Sequence, residues 1–328
     1  MHTTSAAPVA PASAFGPPFP WVFVDGEWVD SDDARVSVHA NAVSYGTGTF
    51  EGIRATWSPE HDELYLMAAT AHYRRLHRSA RVLGLQLPLT PEELTATTEE
   101  LLRRNEVRSD AYLRPLYILT GEDIPVRMHG IPARLSIAAW PVVGHMIDPR
   151  GIRATISARR RAPDVAVPSR AKLCGGYIGP AIAKTEAAAA GYDEALMLNV
   201  DGGVAEATTS NVFMRRGDEW ITPAVTEDIL EGITRDQVMT LLAERTGRRP
   251  AERRIQPSEL LLCDELLLCG TAALVVPVVE VDGRRIGDGR PGAATSALLE
   301  DLRAIARRAD DRHPEWTTPV YTSEEDEA

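Results

Sequence analysis

The chain is nearly without lysine: of its 35 basic residues only Lys172 and Lys184 carry an amine, and the rest are arginines. A guanidinium is too basic to lose its proton and attack a carbonyl, so any covalent amine chemistry falls to one of these two. Cysteine is scarce as well. Cys174, Cys263 and Cys269 are odd in number and show no Cys-x-x-Cys spacing, which speaks against a disulfide framework or a zinc site and fits a reducing cytoplasm. Positive charge is in deficit, and a net charge of -12 leaves no basic footprint for nucleic acid or a membrane surface. The longest apolar run, residues 266–279, falls short of the roughly 20 residues that span a bilayer. His72 and His77 are five apart, not the four that would set both on one metal-binding face, so they read as surface or packing residues and no metal is expected.

What the sequence does contain is a globular chain of 328 residues with 44% hydrophobic content, enough for a full core and, by length, about two domains. Residues 1–20 are rich in Ala, Pro, Ser and Thr without a basic start or a long apolar core, which reads as a disordered tail and not a signal peptide. Trp21 to Val29 alternates around a central Asp25-Gly26, the pattern of a tight hairpin. Apolar residues three and four apart predict helices over 71–83 and 91–105, the second with Thr90 and Glu93 placed as a capping box. Strand-like runs at 111–119 and 134–140 complete a small N-terminal α/β domain over 21–143. The Gly/Pro-marked segment 144–151 reads as an interdomain linker. A larger domain over 152–310 follows, with strands at 152–157, 194–199, 211–214 and 219–221 and helices near 178–190, 234–246 and 293–308. Residues 266–278 read as two buried strands around a Gly-Thr turn, and 311–328 as a solvated acidic tail. The fold class expected is α+β.

The two lysines sit in different company. Lys184 lies in an alanine-rich stretch ending at Gly191, a helix with its C-cap, where a lysine is a solvated surface residue. Lys172 is followed by small residues and then by Tyr177. Glu206 precedes a strand, where a lone carboxylate could accept a hydrogen bond from a ring N–H. Gly232-Ile233-Thr234 opens a helix whose free N–H groups suit a phosphate. Gly270-Thr271-Ala272-Ala273 is a small-residue turn that brings backbone N–H groups close to an anion, and Arg75 on the first helix is a candidate phosphate clamp. The run Gly46-x-Gly48-x-x-x-Gly52 does not have the spacing of a dinucleotide-binding loop. Arg159-Arg160-Arg161, the densest basic run, reads as a solvated strand end. Arg54 and Arg114 taken alone could be structural ion-pair residues.

In this order the pieces resemble the fold type IV pyridoxal-phosphate enzymes, most closely the branched-chain amino-acid aminotransferases. The resemblance is carried by Tyr45-Gly-Thr-Gly-Thr-Phe-Glu-Gly-Ile-Arg54, Tyr112-Leu-Arg-Pro115, Ala171-Lys172 with Gly175-Gly176-Tyr177, Glu206 with Asn211-Val-Phe213, Leu230-Glu-Gly-Ile-Thr-Arg-Asp236 and Gly270-Thr-Ala-Ala273. It implies a two-domain architecture with a small α/β N-terminal domain and a larger pyridoxal-phosphate domain built on a barrel-like β core. Lys172 matches the family's Schiff-base lysine, Tyr177 the tyrosine at the cofactor's phenolic oxygen and Glu206 the acid at its pyridine nitrogen. Arg75, Leu230, Ile233, Thr234 and Thr271 match further cofactor-binding positions, most of them at the phosphate. Tyr45, Phe50, Tyr112, Arg114, Ala272 and Ala273 match the substrate pocket.

The implied activity is ping-pong transfer of the amino group of a branched-chain or other apolar L-amino acid to a 2-oxo acid such as 2-oxoglutarate, in a homodimer whose pockets are shared. A D-amino-acid or amine transaminase and an aminodeoxychorismate-type lyase are relatives of the same fold, and a non-catalytic cofactor-binding paralogue is the reading of another class. The chain departs from the family pattern at Leu173, at Gly176, at Thr208-Thr209-Ser210 and in the loop from Gly121 to Pro132. A pocket tyrosine of the interdomain segment is replaced, on this reading by His145.

Overall fold

The structure is a computed structural model that describes residues 13–122, 124, 126–144 and 150–322. Asp25 and Gly26 both take positive φ, 50° and 96°, the backbone sense that matches the right-handed twist of the strands a two-residue turn joins. The strands Trp21–Val24 and Glu27–Asp30 therefore pair antiparallel with Trp21 opposite Asp30. They form one end of a sheet whose order continues through Ala133–Pro141, Ala111–Leu119, Ile53–Ser58 and Glu63–Met67 to Thr317–Pro319, with Gly48–Phe50 laid beside Ala111–Leu119. The helices Ala69–Val82 and Pro91–Arg104 cover this sheet, burying Tyr73, Leu76, Leu94, Leu101 and Leu102 against Ile53, Leu64, Leu66 and Leu113. The second helix starts where its cap dictates. Glu93 N donates to Thr90 Oγ1 at 3.2 Å and Thr90 N to Glu93 Oε2 at 2.7 Å.

A second sheet holds the C-terminal half, in the order Val204–Ala207, Glu194–Leu198, Ile152–Arg160, Leu274–Val281, Glu265–Gly270, Asn211–Arg216, Glu219–Thr222 and Ala251–Glu252. Ile152–Arg160 runs parallel to both of its neighbours, and the hairpin Glu265–Gly270 to Leu274–Val281 turns through Thr271, Ala272 and Ala273. The helices Ile233–Thr246 and Ala293–Ala306 pack on one face through Val238, Leu241, Leu242, Leu298 and Leu302, while Ile178–Ala189 covers Glu194–Leu198 through Ala183 and Ala187. Among the described residues no helix is long and apolar enough to cross a membrane.

The described part of each segment expected as a tail is bonded to the first sheet. Residues 13–20 follow the strand Ala133–Pro141: Gly16 N donates to Pro141 O at 3.0 Å and Phe19 N to Ala139 O at 2.9 Å. Phe15 rests 5.3 Å from the Tyr112 ring, so two aromatic anchors and an open stretch of strand edge outweigh a tail-like composition. At the other end Thr317–Pro319 pairs with Glu63–Met67, and Glu63 accepts the N–H groups of Val320, Tyr321 and Thr322 at 3.1, 2.9 and 2.7 Å. His145 lies outside the described residues.

Candidate active site

One face of the helix Ala69–Val82 builds the floor of the site. His72, Arg75 and Ser79 are three and four residues apart and so project together. Ser79 Oγ accepts Lys172 N at 3.0 Å, and the Lys172 carbonyl accepts Thr49 Oγ1 at 2.8 Å and Phe50 N at 3.2 Å. The first sheet and its helix thus hold the backbone of Lys172 on both sides. The crossing is close enough to demand glycine: Gly175 N donates to Gly46 O at 3.0 Å, and a Cβ on Gly46, whose φ is 66°, would lie 2.9 Å from Gly175 Cα.

The short helical turn Cys174–Tyr177 then brings Tyr177 back over the lysine. Lys172 Nζ donates to Tyr177 Oη at 2.5 Å and stands 4.8 Å from the centre of the Phe50 ring. Burial, aided by the Arg75 guanidinium, pulls the Lys172 amine down to about 8. Burial also raises the Tyr177 phenol, which keeps it a neutral hydrogen-bonding group at neutral pH.

A cleft of about 250 Å³ opens above this amine, lined on the N-terminal side by Phe50, Arg75, Tyr112 and Arg114 and on the C-terminal side by Tyr177, Leu230, Ile233, Thr234, Thr271, Ala272 and Ala273. A second recess, which shares Lys172, Tyr177 and Leu230 with it, contains Glu206 and Arg161. Glu206 Oε2 accepts Leu230 N at 3.0 Å and Asn211 Nδ2 at 3.1 Å. Burial raises this carboxyl above its ordinary range, and Arg161, 2.9 Å from Oε1, opposes that. Leu173 is buried where it bridges to Thr49, and Gly176, Thr208, Thr209 and Ser210 line the recess.

The arrangement fits a phosphorylated aromatic aldehyde. The helix Ile233–Thr246 opens into the cleft at Gly232 with no side-chain cap on its first N–H groups, which leaves them for an anion. Gly232 cannot carry a side chain, because a Cβ there would collide with Asn211 Oδ1. An amine of lowered pKa, a buried carboxylate and an uncapped helix start meet around the cleft and the recess that shares Lys172 with it, the donor set that an aldehyde, a ring nitrogen and a phosphate each call for.

Every residue that the sequence assigned to the cofactor or the substrate lines this cleft or its recess except Tyr45, whose hydroxyl donates to Ile124 O at 2.5 Å. Arg75 sits on the wall already committed: Nε and Nη2 bind Glu51 at 2.7 and 2.8 Å, and Nη1 donates to Glu231 O at 3.0 Å. Glu51, fully buried, is a partner the sequence reading missed. Of the two readings of His72, surface or packing, the second holds: it is buried, with Nδ1 2.8 Å from Glu51 Oε2. Against burial, which alone would raise it, Arg75 and His72 hold the Glu51 carboxyl far below its ordinary range. Arg161, expected at a solvated strand end, is instead turned inward. Its side chain is only 14% exposed, whereas Arg159 of the same run pairs with Glu186 at the surface. Residue type and neighbours gave no signal for this, since only the sheet turns Arg161 toward Glu206.

The chain matches the family Amino-transferase class IV over residues 48–281. It is 41% identical over 301 residues to the probable branched-chain-amino-acid aminotransferase of Aquifex aeolicus, covering 92% of this chain and 97% of that one. Among solved structures it is similar to the branched-chain aminotransferase of Thermoproteus uzoniensis with norvaline, with a TM-score of 0.88, 37% identity, and coverage of 93% of this chain and 100% of that one. It is also similar to the branched-chain amino acid aminotransferase of Thermobaculum terrenum in its PLP-bound holo-form, with a TM-score of 0.88, 32% identity, and coverage of 93% of this chain and 99% of that one.

Proposed function

The chain belongs to amino-transferase class IV, and on that premise we propose that it moves the amino group of a branched-chain or other apolar L-amino acid to a 2-oxo acid, 2-oxoglutarate foremost, using pyridoxal 5'-phosphate. The observation that carries the reading is Lys172: a buried amine drawn down to about 8, 2.5 Å from Tyr177 Oη, in a cleft that also presents an uncapped helix start. When bound, the cofactor supplies an aldehyde that links to an amine and a ring that withdraws electrons from the substrate's α-carbon.

The chain's own residues do the rest. Lys172, neutral above about pH 8, can attack a carbonyl, and once displaced by the amino donor it would move the proton from the substrate's α-carbon to the cofactor's aldehyde carbon. Tyr177 steers that amine through its hydroxyl. Glu206 holds the proton on the cofactor's ring nitrogen, with Arg161 balancing its charge. The first-turn N–H groups at Ile233 and Thr234, with Arg75 and Thr271, receive the phosphate.

The turn Thr271-Ala272-Ala273 and the Tyr112 hydroxyl take the substrate's α-carboxylate, and Phe50 walls the side-chain pocket. Arg114 lies 4.6 Å from the Phe50 ring with its buried Nε unpartnered, a cation suited to an acceptor's second carboxylate. Two half-reactions through one pocket make the kinetics ping-pong.

A homodimer belongs to this reading. Tyr45 lies on an exposed apolar patch with Val43, 60% exposed, and Ile124, 84% exposed, a surface that a second copy would cover while bringing Tyr45 to the neighbouring pocket. A cytoplasmic location is supported by free Cys174, Cys263 and Cys269, and cell fractionation checks it.

The test is a donor panel. Cofactor-loaded protein is mixed with L-, D- and achiral amines while the visible absorption band is followed, and L-leucine, L-isoleucine and L-valine should each discharge it. A graded preference is expected, because one methylene in an apolar pocket changes binding by only about 1–3 kcal/mol. Discharge by D-amino acids alone, or by amines without a carboxylate alone, would overturn the substrate assignment.

A further inference from the structure

Arg54 does not line the cleft, yet it grips the cleft's wall. It is paired directly opposite Tyr112 across the strands Ile53–Ser58 and Ala111–Leu119, so both side chains leave the sheet on the same face. Tyr112 points into the cleft. Arg54 reaches behind it, where Nη1 donates to the Ala272 carbonyl at 2.8 Å.

The guanidinium is anchored from its other side. Nη2 donates to Asp110 Oδ2 at 2.8 Å and Nε to Thr56 Oγ1 at 3.3 Å, while Asp110 Oδ1 accepts Trp57 N at 3.0 Å. Arg54 lies on a strand of the N-terminal sheet, Asp110 just before its neighbour Ala111–Leu119 and Ala272 in the hairpin turn of the C-terminal sheet, so this chain of bonds crosses between the two sheets.

The turn needs such a brace. Ala272 and Ala273 line the cleft on one side and a cavity of about 880 Å³ on the other, the one whose wall includes Arg54 and Asp110. Alanine side chains offer no anchor of their own. The turn closes at Leu274 with φ at 57°, a left-handed conformation that costs energy for a leucine and persists only where surrounding bonds impose it. Its peptides are trans, and in a trans peptide the C=O and the following N–H point in opposite directions. Holding the Ala272 carbonyl toward the N-terminal sheet therefore aims the Ala273 N–H away from it.

We propose that Arg54, oriented by Asp110, is a positioning residue for carboxylate recognition: it fixes the Ala272–Ala273 peptide so that the turn's N–H groups face the α-carboxylate of amino-acid and oxo-acid substrates. The proposal rests on the reading of this turn as the carboxylate site. Because the brace comes from the other domain, the carboxylate site is complete only when the two domains are seated on each other.

The experiment uses cofactor-loaded protein and 4-methylpentanoate, a branched acid without an amine, titrated by calorimetry. Arg54→Met should weaken binding of the acid by about tenfold or more, the scale of one lost charge-assisted hydrogen bond. It should raise KM for L-leucine more than it lowers kcat, and Arg54→Lys should restore part of the loss. Asp110→Asn, which leaves the turn's direct partner in place, should give a smaller loss in the same direction and carries the test if Arg54→Met does not fold.

Affinity for pyridoxal phosphate and the melting temperature should change little in all three variants. Wild-type affinity for the acid in Arg54→Met and Asp110→Asn would overturn the role of Arg54 alone. A loss of acid binding that only tracks lost cofactor affinity and a lowered melting temperature would also overturn it, since that is what a structural ion pair gives. Failure of the wild-type protein to bind the acid would remove the carboxylate reading and this proposal with it.

Discussion

Lys172 and Lys184 carry the same side chain, and their surroundings separate them. Lys184 Nζ is tied at the surface to Asp193 O at 2.6 Å and Glu194 Oε2 at 2.7 Å, while Lys172 lies beside Arg75 in a buried cleft with its amine near 8. Borohydride reduction of the loaded protein followed by peptide mapping should find the pyridoxyl group on Lys172. A label on Lys184, or an unchanged visible band in Lys172→Ala, would contradict the assignment. The reactive form is the neutral amine, so cofactor uptake by the apoprotein should speed up with pH, reach half its maximum near 8 and level off above that. A half-maximum reached only near the ordinary lysine range, about 10.4, would show that burial does not tune it. Glu206→Gln should retain cofactor but lose turnover by about 10²-fold, the loss typical of a preorganised electrostatic group; steady-state kinetics with unaltered kcat would assign the ring nitrogen to another residue.

At the scale of elements, the helix Ala69–Val82 does two jobs with two faces. Tyr73, Leu76 and Ala80 bury into the sheet, and His72, Arg75 and Ser79 carry the site's floor. Glu51, on the short link between the strands Gly48–Phe50 and Ile53–Ser58, couples that helix to the sheet. Removing its charge leaves Arg75 buried and uncompensated, so Glu51→Gln should cost about 3–5 kcal/mol of stability and weaken cofactor binding, both read by urea denaturation with and without pyridoxal phosphate. The pH dependence has a definite sign. The Glu51 carboxyl is held well below its ordinary value, so its contribution is fully present above the ordinary carboxylate range and is lost as pH falls toward the folded-state value. Stability of Glu51→Gln should therefore fall less steeply with acid than that of the wild type; parallel acid profiles would show that Glu51 is not the linked group.

For the whole molecule, the site exists only at the junction of the two sheets. The backbone of Lys172 is held by Thr49, Phe50 and Ser79, so the C-terminal sheet and its helices do not set this lysine alone. The proposed homodimer would extend the same logic to a second copy, since Tyr45 does not line the cleft and lies on an apolar surface. Sedimentation should give at least twice the mass of one chain, and charge placed at Val43 should dissociate the assembly and reduce activity together. A fully active monomer would exclude a shared pocket.

The sequence by itself determined what local rules govern. The Asp25-Gly26 hairpin, the Thr90 capping box and the Gly-Thr turn all appear where the residues place them, because turn geometry and helix caps depend on neighbours within a few positions. Lysine scarcity narrowed the candidate amine to Lys172 and Lys184. Only the tertiary structure decided the partners that lie far along the chain. Glu51 beneath Arg75, Arg161 against Glu206 and Arg54 on the Ala272 carbonyl are 24, 45 and 218 residues apart, and no periodicity encodes such pairings. The tails show the same division. Composition marked residues 13–20 and 317–322 as solvated, but free strand edges offered hydrogen bonds, and a backbone with an edge within reach pairs with it whatever its average hydropathy.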